Sequence, residues 1–166
     1  MNKLVLDACC STRSFWFNKQ DQRTLYCDIR KETKIVDVGT PGTKGRSPRV
    51  IDPDMIVDFR KMPFADEAFY HVVFDPPHHT SKQMGKRSKG IVAFNYGILE
   101  DSWRDDLRRG FSECFRVLKP YGTLIFKWCS MEIPLREILK LTDYKPLYGH
   151  LSGKKAKTHW VSFIKE

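Results

Sequence analysis

Short apolar runs, each closed by an aspartate, recur through the first half of the chain. Leu4-Val5-Leu6 meets Asp7, Thr24-Leu25-Tyr26-Cys27 meets Asp28, Met55-Ile56-Val57 meets Asp58, and the run from Phe69 to Phe74 meets Asp75. Runs this short, with little alternation, predict buried parallel strands. A short edge strand is expected at Lys34 to Val38, and a Gly- and Pro-dense loop from Gly39 to Arg49. No pattern for a crossover helix stands between the second and third strands. Leu99, Trp103, Leu107, Phe111, Cys114, Phe115 and Leu118 recur at three- and four-residue steps and predict one long helix. Asp101 or Ser102 can cap it, and Lys119-Pro120-Tyr121-Gly122 ends it. A shorter helix is expected at Arg13 to Asn18, and another at Ile133 to Leu141. A fifth strand is expected at Thr123 to Trp128. Two closing strands, at Tyr144 to Tyr148 and His159 to Ile164, are expected to pair antiparallel. Strands alternating with helices in this way predict a doubly wound α/β sheet in a single domain over residues 1–166.

The fourth strand carries the chemistry. Val72-Val73-Phe74 runs directly into Asp75-Pro76-Pro77-His78. Two prolines end a strand because they lack N–H donors and fix φ. Asp75 is therefore held at the C-terminal tip of a central strand, where open α/β sheets bind ligands. Four acids gathered at that edge would repel one another without a function to retain them. After the first strand come the small residues Ala8-Cys9-Cys10-Ser11-Thr12, which allow a ligand close to the backbone. Asp28 lies about twenty residues after Asp7, a spacing that suits a carboxylate accepting both hydroxyls of a ribose. Phe15, Trp16 and Phe17 are consecutive and cannot all face one side; one of them can reach the ligand.

Charge narrows the partner. The net charge is +9 and the pI about 9.4, which favours polyanions and nucleic acid first. The stretch after Pro77 is a long basic loop reaching to Asn95. Its His79, Lys82, Lys86, Arg87 and Lys89 are the expected contacts to a phosphate backbone or substrate. Five cysteines, two of them adjacent and none in a C-x-x-C spacing, point away from a disulfide framework or a structural zinc and towards a reducing, cytoplasmic setting. No apolar run approaches the roughly 20 residues of a membrane span, and the opening residues meet an acid too soon for a secretory leader.

Taken together, these motifs resemble those of the class I S-adenosylmethionine-dependent methyltransferases, along nearly the whole chain. Val5-Leu6-Asp7-Ala8-Cys9-Cys10-Ser11 looks like the family's first motif, around the methionine half of the cofactor. Asp28 falls where the family's ribose-binding acid falls, and Ile56-Val57-Asp58-Phe59-Arg60 looks like its adenine contact. Arg116-Val117-Leu118-Lys119-Pro120-Tyr121-Gly122-Thr123-Leu124 is similar to the family's R-V-L-K-P-G-G-x-L run. Asp75-Pro76-Pro77-His78 resembles the D/N-P-P-aromatic motif of enzymes that methylate exocyclic base amines, and the whole resembles small methyltransferases of bacteria and their phages.

The resemblance implies a Rossmann-like, seven-stranded, mostly parallel sheet with one antiparallel strand at the C-terminal edge. It implies S-adenosyl-L-methionine held by Asp7, Ala8, Cys9, Cys10, Ser11, Trp16, Asp28, Ile29, Asp58, Phe59 and Asp75. It implies that Asp75 and the Pro76 carbonyl orient an amine, with Pro77 stiffening the turn and His78 stacking on a flipped base of DNA or RNA. No metal is required, and at this length a partner subunit is a reasonable source of sequence recognition. Two departures are evident: Cys9, Ser11 and Arg13 stand where the family's first loop carries glycines, and His78 stands for a larger aromatic. The alternatives are a methyltransferase for a small molecule or protein, and a cofactor-binding scaffold without catalysis. A nicotinamide dehydrogenase lacks its glycine fingerprint here.

Overall fold

The computed structural model describes residues 3–38, 45–80, 91–151 and 157–166. Seven strands form one sheet: β1 (Val5–Asp7), β2 (Thr24–Asp28), β5 (Met55–Ile56), β6 (Phe69–Phe74), β7 (Leu118–Cys129), β8 (Tyr148–Leu151) and β9 (Thr158–Ile164). Their order is β5-β2-β1-β6-β7-β9-β8. β1, β2, β5, β6 and β7 run parallel, and β9 runs antiparallel to both its neighbours. The expected antiparallel strand is thus present, but one strand in from the edge, because β8 pairs on its outer side. The chain order places β1 and β6 side by side at the centre, so Asp7 and Asp75 leave the sheet together.

The long helix, α2 (Trp103–Val117), packs its apolar stripe on the sheet, with Trp103, Leu107, Phe111, Cys114 and Phe115 all buried. Gly110 lets the helix approach β6: a Cβ there would lie 2.6 Å from Phe74 Cζ and 2.8 Å from Phe59 Cδ2. Arg116, at its C-terminal end, ties down the 62–66 turn. Its guanidinium bonds the Met62 and Phe64 carbonyls at 3.0 and 2.8 Å and the carboxylates of Asp66 and Glu113 at 2.7 and 2.6 Å. Where the resembling run has a glycine, Tyr121 adopts φ of 62°, in a bulge where β7 shifts register against β6.

Several expectations are corrected. Arg13 to Asn18 is a series of turns, because Ser11 and Arg13 both take left-handed φ, at 46° and 52°. The crossover between β2 and β5 is a two-stranded antiparallel hairpin, β3 (Glu32–Val38) and β4 (Gly45–Ile51), so the predicted loop is a strand from Gly45 onward. Within the expected basic loop, Ile91–Tyr96 is a short helix, α1. Residues 81–90, with Lys82, Lys86, Arg87 and Lys89, lie outside the described residues. The predicted helix near residue 135 shortens to α3 (Leu135–Ile138) and a following 3-10 turn, and β8 begins at Tyr148 rather than at Tyr144. Among the described residues no helix is long and apolar enough to cross a membrane, and no cluster of His, Cys, Asp or Glu could hold a metal.

Candidate active site

The C-terminal tips of β1, β2 and β6 open onto a cavity of about 210 Å3, closed on its outer side by α1 and the turn after it. Its walls include Ala8, Cys9, Ser11, Asp28, Ile29, Phe59, Asp75 and Pro77, all of them sequence-predicted. They also include Arg30, Asn95 and Tyr96, which the sequence reading missed. Gly97 takes φ of +70° at this turn, and a Cβ on it would meet Pro77 Cγ at 3.1 Å, so the double proline and the glycine fit one another.

Two carboxylates organise the first loop. Asp7 is wholly buried behind it; Oδ1 accepts the Cys9 N–H at 3.2 Å and Oδ2 the Trp16 indole N–H at 2.7 Å. Burial pushes the Asp7 carboxyl up to about 7, against these two bonds and helped by the nearby charges of Asp75 and Asp28. Trp16 therefore serves Asp7 rather than lining the cavity, and its ring packs edge-on against Tyr26 at 5.1 Å. Asp28 Oδ2 accepts the Ser11 N–H at 3.0 Å, and Oδ1 accepts the main-chain N–H of Arg30 at 3.0 Å. Cys10 is buried under the loop, with its N–H on the Cys27 carbonyl. Burial raises the Cys9 thiol well above its ordinary value, so it is a neutral wall.

Arg30 and Ser11 hold α1 down. The Arg30 guanidinium bonds Asp28 through Nε at 3.1 Å and Nη2 at 3.4 Å, and its Nη1 donates to the Phe94 carbonyl. The Ser11 hydroxyl donates to the carbonyl of Asn95. The ribose acid expected from sequence is thus already occupied by a base two residues away. The cavity beneath this latch is smaller than the ~300–1,000 Å3 typical of ligand pockets.

The Asp75 side chain is 7 % exposed, and Lys127 on β7 donates to its Oδ2 at 2.6 Å. Among the described residues its Oδ1 has no hydrogen-bond partner, and the buried Asn95 side-chain oxygen has none either. Both residues line the cavity, so two acceptors there await donors. Burial raises the Asp75 carboxyl, and the Lys127 charge and hydrogen bond act against that rise.

His78 is placed differently from the expectation. It is 4 % exposed, packed among Tyr96, His79 and Trp128 at ring-centroid distances of 5.0, 4.6 and 6.0 Å. Burial, with the neighbouring His79 and Lys127, drives it down to about 4, so it is neutral and its Nδ1–H donates to the Pro76 carbonyl at 3.2 Å. A base cannot stack on a ring so enclosed, and the Pro76 carbonyl is already engaged. Tyr96, with Phe59, is an aromatic side chain on the cavity wall. His79 turns away to Glu132, which also takes the Thr80 N–H. Asp58 likewise lies outside the cavity wall, its carboxylate held by Arg60, which reaches on to Asp106. A larger open groove of about 680 Å3 lies on the far side of Ser11, but its Arg13 is spent on Asp54, on main-chain carbonyls and on the Tyr26 ring.

No protein-family model matches the chain, and no curated protein matches it. Solved structures do. A Pyrococcus horikoshii protein aligns over 100 % of this chain and 83 % of its own, with a TM-score of 0.55 at 15 % identity. The 1,6-didemethyltoxoflavin-N1-methyltransferase of Burkholderia thailandensis, with S-adenosylhomocysteine bound, aligns over 98 % of this chain and 70 % of its own, at 0.54 and 13 % identity. A Methanosarcina mazei S-adenosylmethionine-dependent methyltransferase aligns over 99 % and 94 %, at 0.52 and 11 % identity. The fold is therefore the Rossmann-like α/β fold of S-adenosylmethionine-dependent methyltransferases.

Proposed function

We propose that the chain is an S-adenosyl-L-methionine-dependent methyltransferase that acts on an exocyclic amine of adenine or cytosine in DNA or RNA. The observation that carries this reading is Asp75, on a cavity wall at the strand edge, whose buried Oδ1 has no hydrogen-bond partner among the described residues. A cavity walled by Asp28 and Asp75, with acceptors that lack hydrogen bonds among the described residues, suits a cationic sulfonium and an amine donor better than a phosphate. When bound, the cofactor supplies an electrophilic methyl group.

Asp28 is placed to accept ribose hydroxyls once Arg30 is displaced, and Ile29 and Phe59 supply apolar walls for the adenine. Asp75 Oδ1 accepts an N–H of the target amine, drawing its delocalised lone pair back to nitrogen and fixing the line of attack. Tyr96 supplies the face on which a planar target rests. The net charge of +9 favours a polyanionic carrier of that target.

A small heteroaromatic amine is the second reading. The burial of His78 favours it, since the residue after the double proline offers no face to a flipped base. Transfer of a labelled methyl group to a panel of DNA, RNA and small amines tests both. Label on a base amine, with transfer falling steeply as salt rises, supports the first; label on a small molecule or protein alone refutes it. Asp75→Ala with full activity would overturn the chemistry of either.

A further inference from the structure

Lys127 sits one strand away from Asp75, and its surroundings are unusual for a lysine. Its side chain is 13 % exposed, and its Nζ lies 2.6 Å from Asp75 Oδ2. Three rings surround the same ammonium, with centroids at 5.2 Å for Tyr96, 5.5 Å for Phe15 and 5.7 Å for Trp160. They come from three separate places: α1, the loop after β1, and β9, where Trp160 is the ladder partner of Lys127. A buried ammonium loses its charge unless opposite charge or ring faces compensate the lost water. Here both surround the Lys127 ammonium. Lys127 also takes up one carboxylate oxygen of this cavity-lining residue and leaves the other, Oδ1, without a hydrogen bond among the described residues.

We propose that Lys127 is the positioning residue of this site: by gripping Asp75 Oδ2 from within the Phe15–Tyr96–Trp160 box, it makes Oδ1 the acceptor offered to a substrate N–H. The identity of that substrate rests on the methyltransferase reading above; the grip on Asp75 does not. Around Asp75 stand Asp7 on β1 and Asp28 on β2, both carboxyl groups, His78 on its own turn with Nδ1 4.0 Å from Oδ1, His79 with Glu132 beyond it, and Lys127 on β7, the base that touches it. Lys127 thus acts against the rise that burial imposes on the Asp75 carboxyl, and an ionised oxygen accepts an N–H better than a protonated one.

The test is a carboxyl-carbon NMR titration of aspartate-labelled protein without cofactor, with the Asp75 signal assigned by its loss in Asp75→Asn. In Lys127→Met the Asp75 midpoint rises by about one pH unit or more, the effect of removing an adjacent opposite charge. In Lys127→Arg it stays near the wild-type value. In Trp160→Leu, which leaves both charges in place but opens the box, it rises less and in the same direction. An unchanged midpoint in folded Lys127→Met overturns the proposal; should that variant not fold, an unchanged midpoint in Trp160→Leu does so. In the methyl-transfer assay the acid limb of the kcat profile moves up with the midpoint, while KM for S-adenosylmethionine stays constant. A shifted midpoint in a protein that methylates no acceptor would sink the methyltransferase reading and leave the role of Lys127 standing.

Discussion

The Arg30 latch has a consequence opposite to intuition: removing a base from the cavity wall is expected to tighten cofactor binding. Arg30 occupies the carboxylate that the ribose hydroxyls need. Arg30→Met deletes the two guanidinium bonds to Asp28, at 3.1 and 3.4 Å, and the bond to the Phe94 carbonyl that holds α1 closed. It keeps the main-chain N–H of residue 30 and the Ser11 N–H on the same carboxylate, each at 3.0 Å, so Asp28 is not left bare. Hydrogen bonds to a charged group are each worth about 1.5–3 kcal/mol. The Arg30 side chain is 26 % exposed, so water replaces part of what is lost when the latch opens. The long Nη2 contact adds little. About 1–2 kcal/mol is then the cost of opening that the ligand no longer meets. At 1.4 kcal/mol per decade this is about 5- to 30-fold in Kd. Calorimetric titration of wild type and variant with S-adenosylhomocysteine reads it directly. A weaker or unchanged Kd in a folded variant would show that Arg30 holds the ligand rather than competing with it.

Other perturbations bear on the frame. Asp7 is raised to about 7 by burial, so the folded state binds its proton more tightly than the unfolded state does, and the stability this confers is full below about pH 4 and lost as pH rises towards 7. Asp7→Asn removes that dependence; urea denaturation at pH 5 and 7.5 should show the variant gaining roughly 2–3 kcal/mol on wild type between the two, and parallel profiles would refute the burial argument. Tyr121→Gly relieves a left-handed φ of 62° on an exposed residue, and a gain of about 0.5–1 kcal/mol in thermal or chemical melts is expected; a loss would mean the ring packs more than its exposure suggests. Gly110→Ala drives a methyl into Phe74 and Phe59, at a cost of about 1–3 kcal/mol and with weaker S-adenosylhomocysteine binding through Phe59; wild-type stability would show that the two rings can yield.

The strand-end acids were legible because a strand buried on both faces leaves an uninterrupted apolar run, and the first polar residue after that run stands at the sheet edge. That placed Asp7, Asp28 and Asp75 from sequence alone. The stripe of α2 was legible for the same kind of reason. Lys127 was not, because in Phe126-Lys127-Trp128 it reads as an ordinary polar position of an alternating strand, and only the neighbouring β6 and β9 reveal its company. The turns at Arg13 to Asn18 were misjudged because local pattern cannot register that Ser11 and Arg13 take positive φ, with the Ser11 N–H and both side chains reaching partners far along the chain. His78 was assigned to the substrate by its place after Pro77. The packing of Tyr96 and Trp128 around it is long-range and leaves no trace in the motif. The hairpin of β3 and β4 was half visible: the missing helix was evident, but the pairing of Lys34 with Arg49 across it was not.

Between β1 and β2 the chain makes only turns. Folds that seat a pyrophosphate do so on the free N–H groups and positive end of a helix that starts there. In this protein the equivalent N–H groups, of Cys9 and Ser11, point back to Asp7 and Asp28, and the two bases nearest the cavity are each committed to an acid. The loop therefore offers a diphosphate neither a helix dipole nor a pair of free N–H groups: those donors are spent on holding the strand-end carboxylates in place, so the same backbone that elsewhere grips phosphate here props up acids.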